Sequence, residues 1–159
     1  MVYSSRKLIL LMFIWLIISS CRFGDLDPRI IGVWDAEETQ LVVREELGFM
    51  KFNFTEGLAA VHLVIDESYH VKGSVGNAVF DGGIVQVNKD FLPPKYSGVG
   101  MAISCTLQGK IFDKDPVVTK DVEFWIYHPI EGDSFTAELR FTGNGSKFPM
   151  TQFTFQRAQ

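Results

Sequence analysis

The chain has 159 residues, 47% of them hydrophobic and 21% charged, and a formal net charge of −4. That length holds one domain with its own core and leaves no room for a second of ordinary size. Acidic and basic residues are scattered, with no basic cluster, which excludes nucleic acid as the expected partner.

At the N-terminus, Arg6 and Lys7 precede an unbroken apolar run, Leu8 to Ile18, followed by Ser19, Ser20 and Cys21. Charged, hydrophobic and small-residue regions in that order make a secretory signal. As a helix the apolar run would be about 16 Å long, half of a ~30 Å hydrocarbon core, so a removable leader is expected rather than a permanent span. Ile18-Ser19-Ser20-Cys21 resembles the bacterial lipobox, in which an aliphatic residue and two small residues precede a cysteine. The resemblance implies diacylglyceryl transfer to the Cys21 sulfur, cleavage before Cys21 and acylation of the new amino group. Two or more acyl chains give lasting attachment where one is marginal. The mature protein is then expected to be a bacterial lipoprotein of the cell envelope, membrane-anchored by lipid without spanning. The competing reading is an ordinary signal peptide cleaved nearby, with Cys21 left as a free thiol. Arg22-Phe23-Gly24-Asp25 follow, and Arg22 is not the aspartate that resembles an inner-membrane retention signal, so the choice of membrane stays open.

The expected organisation is a cleaved signal at 1–20, a lipidated tether at 21–28 and an all-β domain at 29–159. Removing the leader takes Arg6 and Lys7 with it, leaving 139 residues and a formal charge of −6. Residues 22–28 have mixed polarity, a glycine and a proline, and read as a short spacer. From Arg29 onward period-two patterning dominates, and eleven short strands are expected: 29–36, 40–45, 49–54, 59–66, 69–75, 77–81, 83–88, 100–111, 120–127, 134–142 and 150–157. Their inner faces are Met50, Phe52 and Phe54; Val61, Leu63 and Ile65; Val122, Phe124 and Ile126; Phe135, Ala137, Leu139 and Phe141; and Phe153 and Phe155. These converge on one aromatic-rich core, in a single antiparallel barrel or sandwich of about 8–10 strands. Asp81-Gly82 reads as a tight hairpin turn, and Gly132-Asp133 and Gly143-Asn144-Gly145 as further reversals. Pro93-Pro94, Gly98 and Gly100 break any ladder and leave a loop over 89–100.

Gly32-Val33-Trp34 opens the first strand, and Arg157 closes the last on the face of Phe153 and Phe155. This pairing resembles the lipocalin and calycin pattern, in which a Gly-x-Trp begins strand one and an arginine of the final strand lies across the indole. The resemblance implies a barrel whose floor is sealed by Trp34 and Arg157, a contact contributing about 0.5 to 2 kcal/mol. No Thr-Asp-Tyr-like second motif follows, and two residues after Arg157 imply a helix-less barrel. The other reading makes Trp34 a core aromatic of a sandwich and Arg157 a terminal cation.

Chemistry-bearing groups are sparse. Cys105 falls on the apolar positions of Met101 to Lys110 and is expected to be an inert core residue, with no mate for a disulfide if Cys21 carries lipid. His62 and His70 become diagonal neighbours on an outer face if Ile65 faces Tyr69, with Lys72 opposite His62 to repel a metal ion; solvated surface histidines are expected, and His128 before Pro129 reads as a strand-end residue. Glu37 with Glu38 and Asp113 with Asp115 read as turn charges, since neither pair has calcium-loop spacing. No nucleophile motif, zinc signature or phosphate loop is present, so neither catalytic residue, metal site nor cofactor is assigned, and the expectation is a protein that is not an enzyme. Trp125 and Tyr127 fall on the face opposite Val122, Phe124 and Ile126. They either lie under a loop such as 89–100 or form an interaction patch. Two functions follow: a barrel that binds a small apolar ligand, with a cavity of roughly 300 Å³ or more, or a structural or accessory subunit that docks on an envelope protein and has no ligand cavity.

Overall fold

The computed structural model describes residues 26–48, 51–87, 94–114, 117–141 and 151–159. The leader 1–20, Cys21 with the spacer to Asp25, Met50, Asp115 and Gly143-Asn144-Gly145 lie outside the described residues, as do the side chains of Phe52, Phe54, His128 and Pro129. A 3₁₀ turn at Pro28–Ile30 leads into eight strands: β1 (Gly32–Gly48), β2 (Lys51–Ile65), β3 (His70–Val75), β4 (Ala78–Gln86), β5 (Val99–Gly109), β6 (Val118–Glu131), β7 (Ser134–Phe141) and β8 (Thr151–Arg157). Each pairs antiparallel with the next, and β8 returns to β1, so the sheet closes into a barrel. The fold is all-β and consistent with a lipocalin-like barrel, and closure removes the edges a sandwich would leave. Among the described residues no helix is long and apolar enough to cross a membrane.

Eight strands replace the eleven expected because three pairs of short runs are continuous. The runs at 29–36 and 40–45 both fall on β1, whose break in alternation is a bulge: Ala36 faces Val61 and Thr39 faces Ala59, so Glu37 and Glu38 together oppose Ala60. The extra residue switches the inward parity from Trp34 and Ala36 to Leu41 and Val43, all four buried. The runs at 49–54 and 59–66 merge likewise into β2. Asp81-Gly82 is not a turn; both lie within β4, where Asp81 faces Lys72 and Thr106 while Gly82 faces Val71 and Cys105. The glycine serves a close approach instead, since a Cβ there would strike Ser104 O and Cys105. The actual reversal is at Gly76-Asn77, with Gly76 at φ +55°. In the loop expected over 89–100, Pro94–Tyr96 forms a 3₁₀ turn and β5 begins at Val99.

One end of the barrel, the floor, gathers the Pro28–Ile30 turn, the Asp66–Tyr69 turn, the Gly132-Asp133 turn and the end of β8. The other, the mouth, carries the β1–β2 hairpin, the Gly76-Asn77 turn and the segment after β5. Described β1–β8 pairing runs from Trp34 to Ala36 only, after which the bulge turns β1 away with β2 as a long hairpin. Its inner face remains buried at Leu41, Val43 and Ala59, and the Phe112 ring lies on Gly57, which holds the hairpin against the mouth.

Leu26 is also part of the core, so the packed domain already includes the last residues of the expected tether at 21–28. The interior is aromatic along its length. Trp34 meets Phe135 edge-on at 4.8 Å, Phe135 stacks on Phe155 at 4.8 Å, and Phe155 reaches Phe124 and Phe153 at 6.5 and 6.4 Å. Phe80 continues the column from Phe124 at 5.4 Å, its ring taking the space that Gly73 leaves beside it. Each such pair contributes about 0.5 to 1.5 kcal/mol beyond area burial.

Candidate functional site

At the floor, Arg157 lies over the Trp34 ring with its guanidinium carbon 4.2 Å from the centroid. Each of its three nitrogens donates: Nε to Asp133 Oδ1 at 3.0 Å, Nη1 to Ile31 O at 3.0 Å and Nη2 to Arg29 O at 2.8 Å. Trp34 Nε1 donates to Ile30 O at 2.7 Å. The spacing of Gly32 and Trp34 now has a cause. Gly32 sits at φ +145°, and a Cβ there would occupy the place of the guanidinium. Asp27 caps the 3₁₀ turn by accepting from Arg29 N at 3.0 Å and pairs with the Arg29 side chain. These contacts bind the entering chain, the last strand and the β6–β7 turn into one unit.

Trp125 and Tyr127 are half-buried on the outer wall. Arg140 of β7 sits in the corner made by the Trp125 ring, 3.5 Å away, and the Tyr96 ring, 4.4 Å away, which meet edge-on at 5.3 Å. Tyr96, from the segment expected as a loop over 89–100, covers part of this face, while Trp125 and Tyr127 keep partial exposure. Tyr127 donates to Glu138 at 2.6 Å and Trp125 to Glu123 at 2.8 Å. Burial, then the bond to Glu138 and its charge, push the Tyr127 phenol up to about 12. Arg140 Nη2 is 3.6 Å from Glu138, and Nε and Nη2 are buried without a hydrogen bond, so stacking and charge hold this guanidinium in place. Sequence reasoning missed Tyr96, Glu138 and Arg140. The alternation of β7 carries the signal, for it puts Glu138 and Arg140 on the face opposite Ala137 and Leu139, directly across from Trp125 and Glu123.

The histidines do not come together. His62 faces Asp35 and Ser74, whereas His70 lies at the other end of β3 opposite Gly83, and Lys72 faces Val64 and Asp81 rather than His62. The register is two residues from the one expected, Ile65 facing Val71, because Tyr69 adopts φ +61° inside the turn. Each histidine has its own carboxylate, His62 with Asp35 and His70 with Asp81, both at 2.6 Å and exposed. Asp66 accepts from Ser68 and from the His70 backbone, which holds its carboxyl below the usual range, the Ser68 hydroxyl being the main cause. Glu37 and Glu38 are exposed in the bulge, and Asp113 accepts from Asn77 at 2.9 Å across the mouth turns. Among the described residues no three His, Cys, Asp or Glu side chains converge to hold a metal ion. Cys105 is buried on the inner face, and burial pushes its thiol up to about 12, far from a nucleophile's range.

The wall over β3–β5 carries a shallow hollow of about 420 Å³ among Lys72, Gly73, Val79, Phe80, Asp81, Thr106 and Gln108. The interior is different. A chamber able to hold a ligand leaves water-sized free surface on the side chains around it. Among the described residues Trp34, Leu63, Val71, Val75, Ile103, Leu107, Val122, Phe124, Ile126, Phe153 and Phe155 have none, while Val43, Phe80, Ile84 and Cys105 keep 4 to 6%. The chain matches no protein-family model, no curated protein and no solved structure.

Proposed function

We propose that this chain is a lipid-anchored protein of the bacterial cell envelope whose filled barrel serves as a structural or accessory subunit, engaging another envelope protein through its outer surface. The anchoring rests on the leader and on Ile18-Ser19-Ser20-Cys21, which supply an export signal and a thioether site. The observation that carries the rest is the packing of the barrel axis, with fully buried side chains contributed by all eight strands. Eight strands enclose a space that side chains can just fill or that can hold one small ligand, and the aromatic column from Trp34 to Phe80 supports the first.

The second reading is a small apolar ligand bound by the barrel, favoured by the Gly32, Trp34 and Arg157 floor shared in pattern with ligand-carrying calycins. Native mass spectrometry of the delipidated protein separates the two. A clean apo mass, together with no saturable uptake of fatty acids or apolar dyes, is the outcome expected of the filled barrel; a co-purified small molecule at one equivalent would overturn it. Labelling with radioactive palmitate that is lost in Cys21→Ala is expected for the anchor. Equal labelling of that variant would remove it.

A further inference from the structure

The lipid anchor and the barrel axis constrain each other. Leu26 is packed into the core at the floor, where Tyr69 Oη donates to Leu26 O at 3.3 Å, so the chain's entry point is fixed to that end. Four residues, Arg22 to Asp25, separate Cys21 from Leu26. Whatever conformation they take, they span at most about 18 Å. The wall is longer. β5 alone has 11 residues from floor to mouth, which at 3.3 Å per residue and a strand tilt near 40° makes about 25 Å of height. A barrel with its mouth on the membrane would hold Leu26 farther from the lipid than the tether reaches.

We infer that the floor, with its Asp66–Tyr69 and Gly132-Asp133 turns, is the face held against the lipid headgroups, and that the β1–β2 hairpin at the mouth is the membrane-distal end. The inference rests on the lipid attachment at Cys21 proposed above. The floor turns carry exposed Asp66, Glu67 and Glu131, while Arg29 and Arg157 are already paired with Asp27 and Asp133. Such a surface rests on headgroups rather than inserting, and it suits a zwitterionic layer whose ammonium groups meet the carboxylates. Anionic lipid repels it over about 8 Å at physiological salt.

The test uses the lipidated full-length mature protein in phosphatidylcholine vesicles carrying a nitroxide on the headgroup. A fluorophore is placed at the floor through Glu67→Cys or Glu131→Cys, or at the mouth through Lys114→Cys or Gln108→Cys; buried Cys105 does not compete for it. Floor labels are expected to be quenched several-fold more than mouth labels. Adding phosphatidylglycerol at low salt should reduce floor quenching, and salt should restore it. Equal quenching at both ends, or stronger quenching at the mouth, overturns the orientation while leaving the anchor in place. Anionic lipid without effect overturns the charge argument. Failure of the protein to float with vesicles at all removes the anchor itself, an outcome read separately before any quenching is measured.

Discussion

Arg157 combines four interactions in one side chain: one aromatic face, two backbone carbonyls and one carboxylate. Its loss exposes the Trp34 ring and leaves Ile31 O and Arg29 O without that donor, so Arg157→Ala should destabilise the fold by about 2 to 3 kcal/mol, read from urea unfolding. Gly32→Ala should cost about 1 to 3 kcal/mol through its backbone conformation and the displaced guanidinium. Because both changes strike one contact, the double variant should lose less than the sum of the two. Full additivity would mean that the glycine and the arginine act separately. Tyr127 sets a pH limit. Its phenol titrates near 12 in the folded chain and near 10 when unfolded. A group whose folded value is raised contributes stability that is complete below about pH 10 and is lost as the pH climbs towards 12. Thermal melts across that range should fall more steeply for the wild type than for Tyr127→Phe, and the phenolate absorbance of one tyrosine should appear late.

Strand boundaries were the part of the element scale that sequence reasoning read least well. Period-two alternation identified the inner faces of β2, β6, β7 and β8 correctly at Val61, Leu63, Ile65, Val122, Phe124, Ile126, Phe135, Ala137, Leu139, Phe153 and Phe155, because each of those runs is regular. It failed wherever the backbone departs from regularity for a local reason. The bulge at Glu37 and Glu38 mimics a strand end, and Gly82 mimics a turn although its missing side chain makes room for β5. The difference is testable at Gly82. A tight turn accepts asparagine readily, whereas the strand interior does not, so Gly82→Asn should cost about 2 to 3 kcal/mol by forcing Ser104 and Cys105 away. A variant as stable as the wild type would show that β4 and β5 part easily there. The floor pair was visible as Gly32, Trp34 and Arg157, residues at opposite ends of the chain that only a closed barrel brings together. The stack of Tyr96, Trp125 and Arg140 was half visible, since two of its members lie on strands with legible faces and the third comes from a loop without periodicity.

Across the whole molecule, Cys105 is a reporter of closure. Its buried thiol should react with Ellman's reagent at the rate of global unfolding rather than at the rate of a free thiol. In denaturant, one reactive thiol per chain is expected if Cys21 is a thioether and two if it is free, an independent count on the anchor. The meander topology places closure late, because the ring is complete only when β8 hydrogen-bonds to β1 and Ala158 N donates to Val33 O at 2.9 Å. A chain shortened before Thr151 would have every other strand and no ring. It would leave the free edge of β7 and the Trp34 face to solvent, a ready substrate for proteases. Survival of this protein therefore passes through a single late checkpoint: the arrival of its final strand is what distinguishes a finished product from debris.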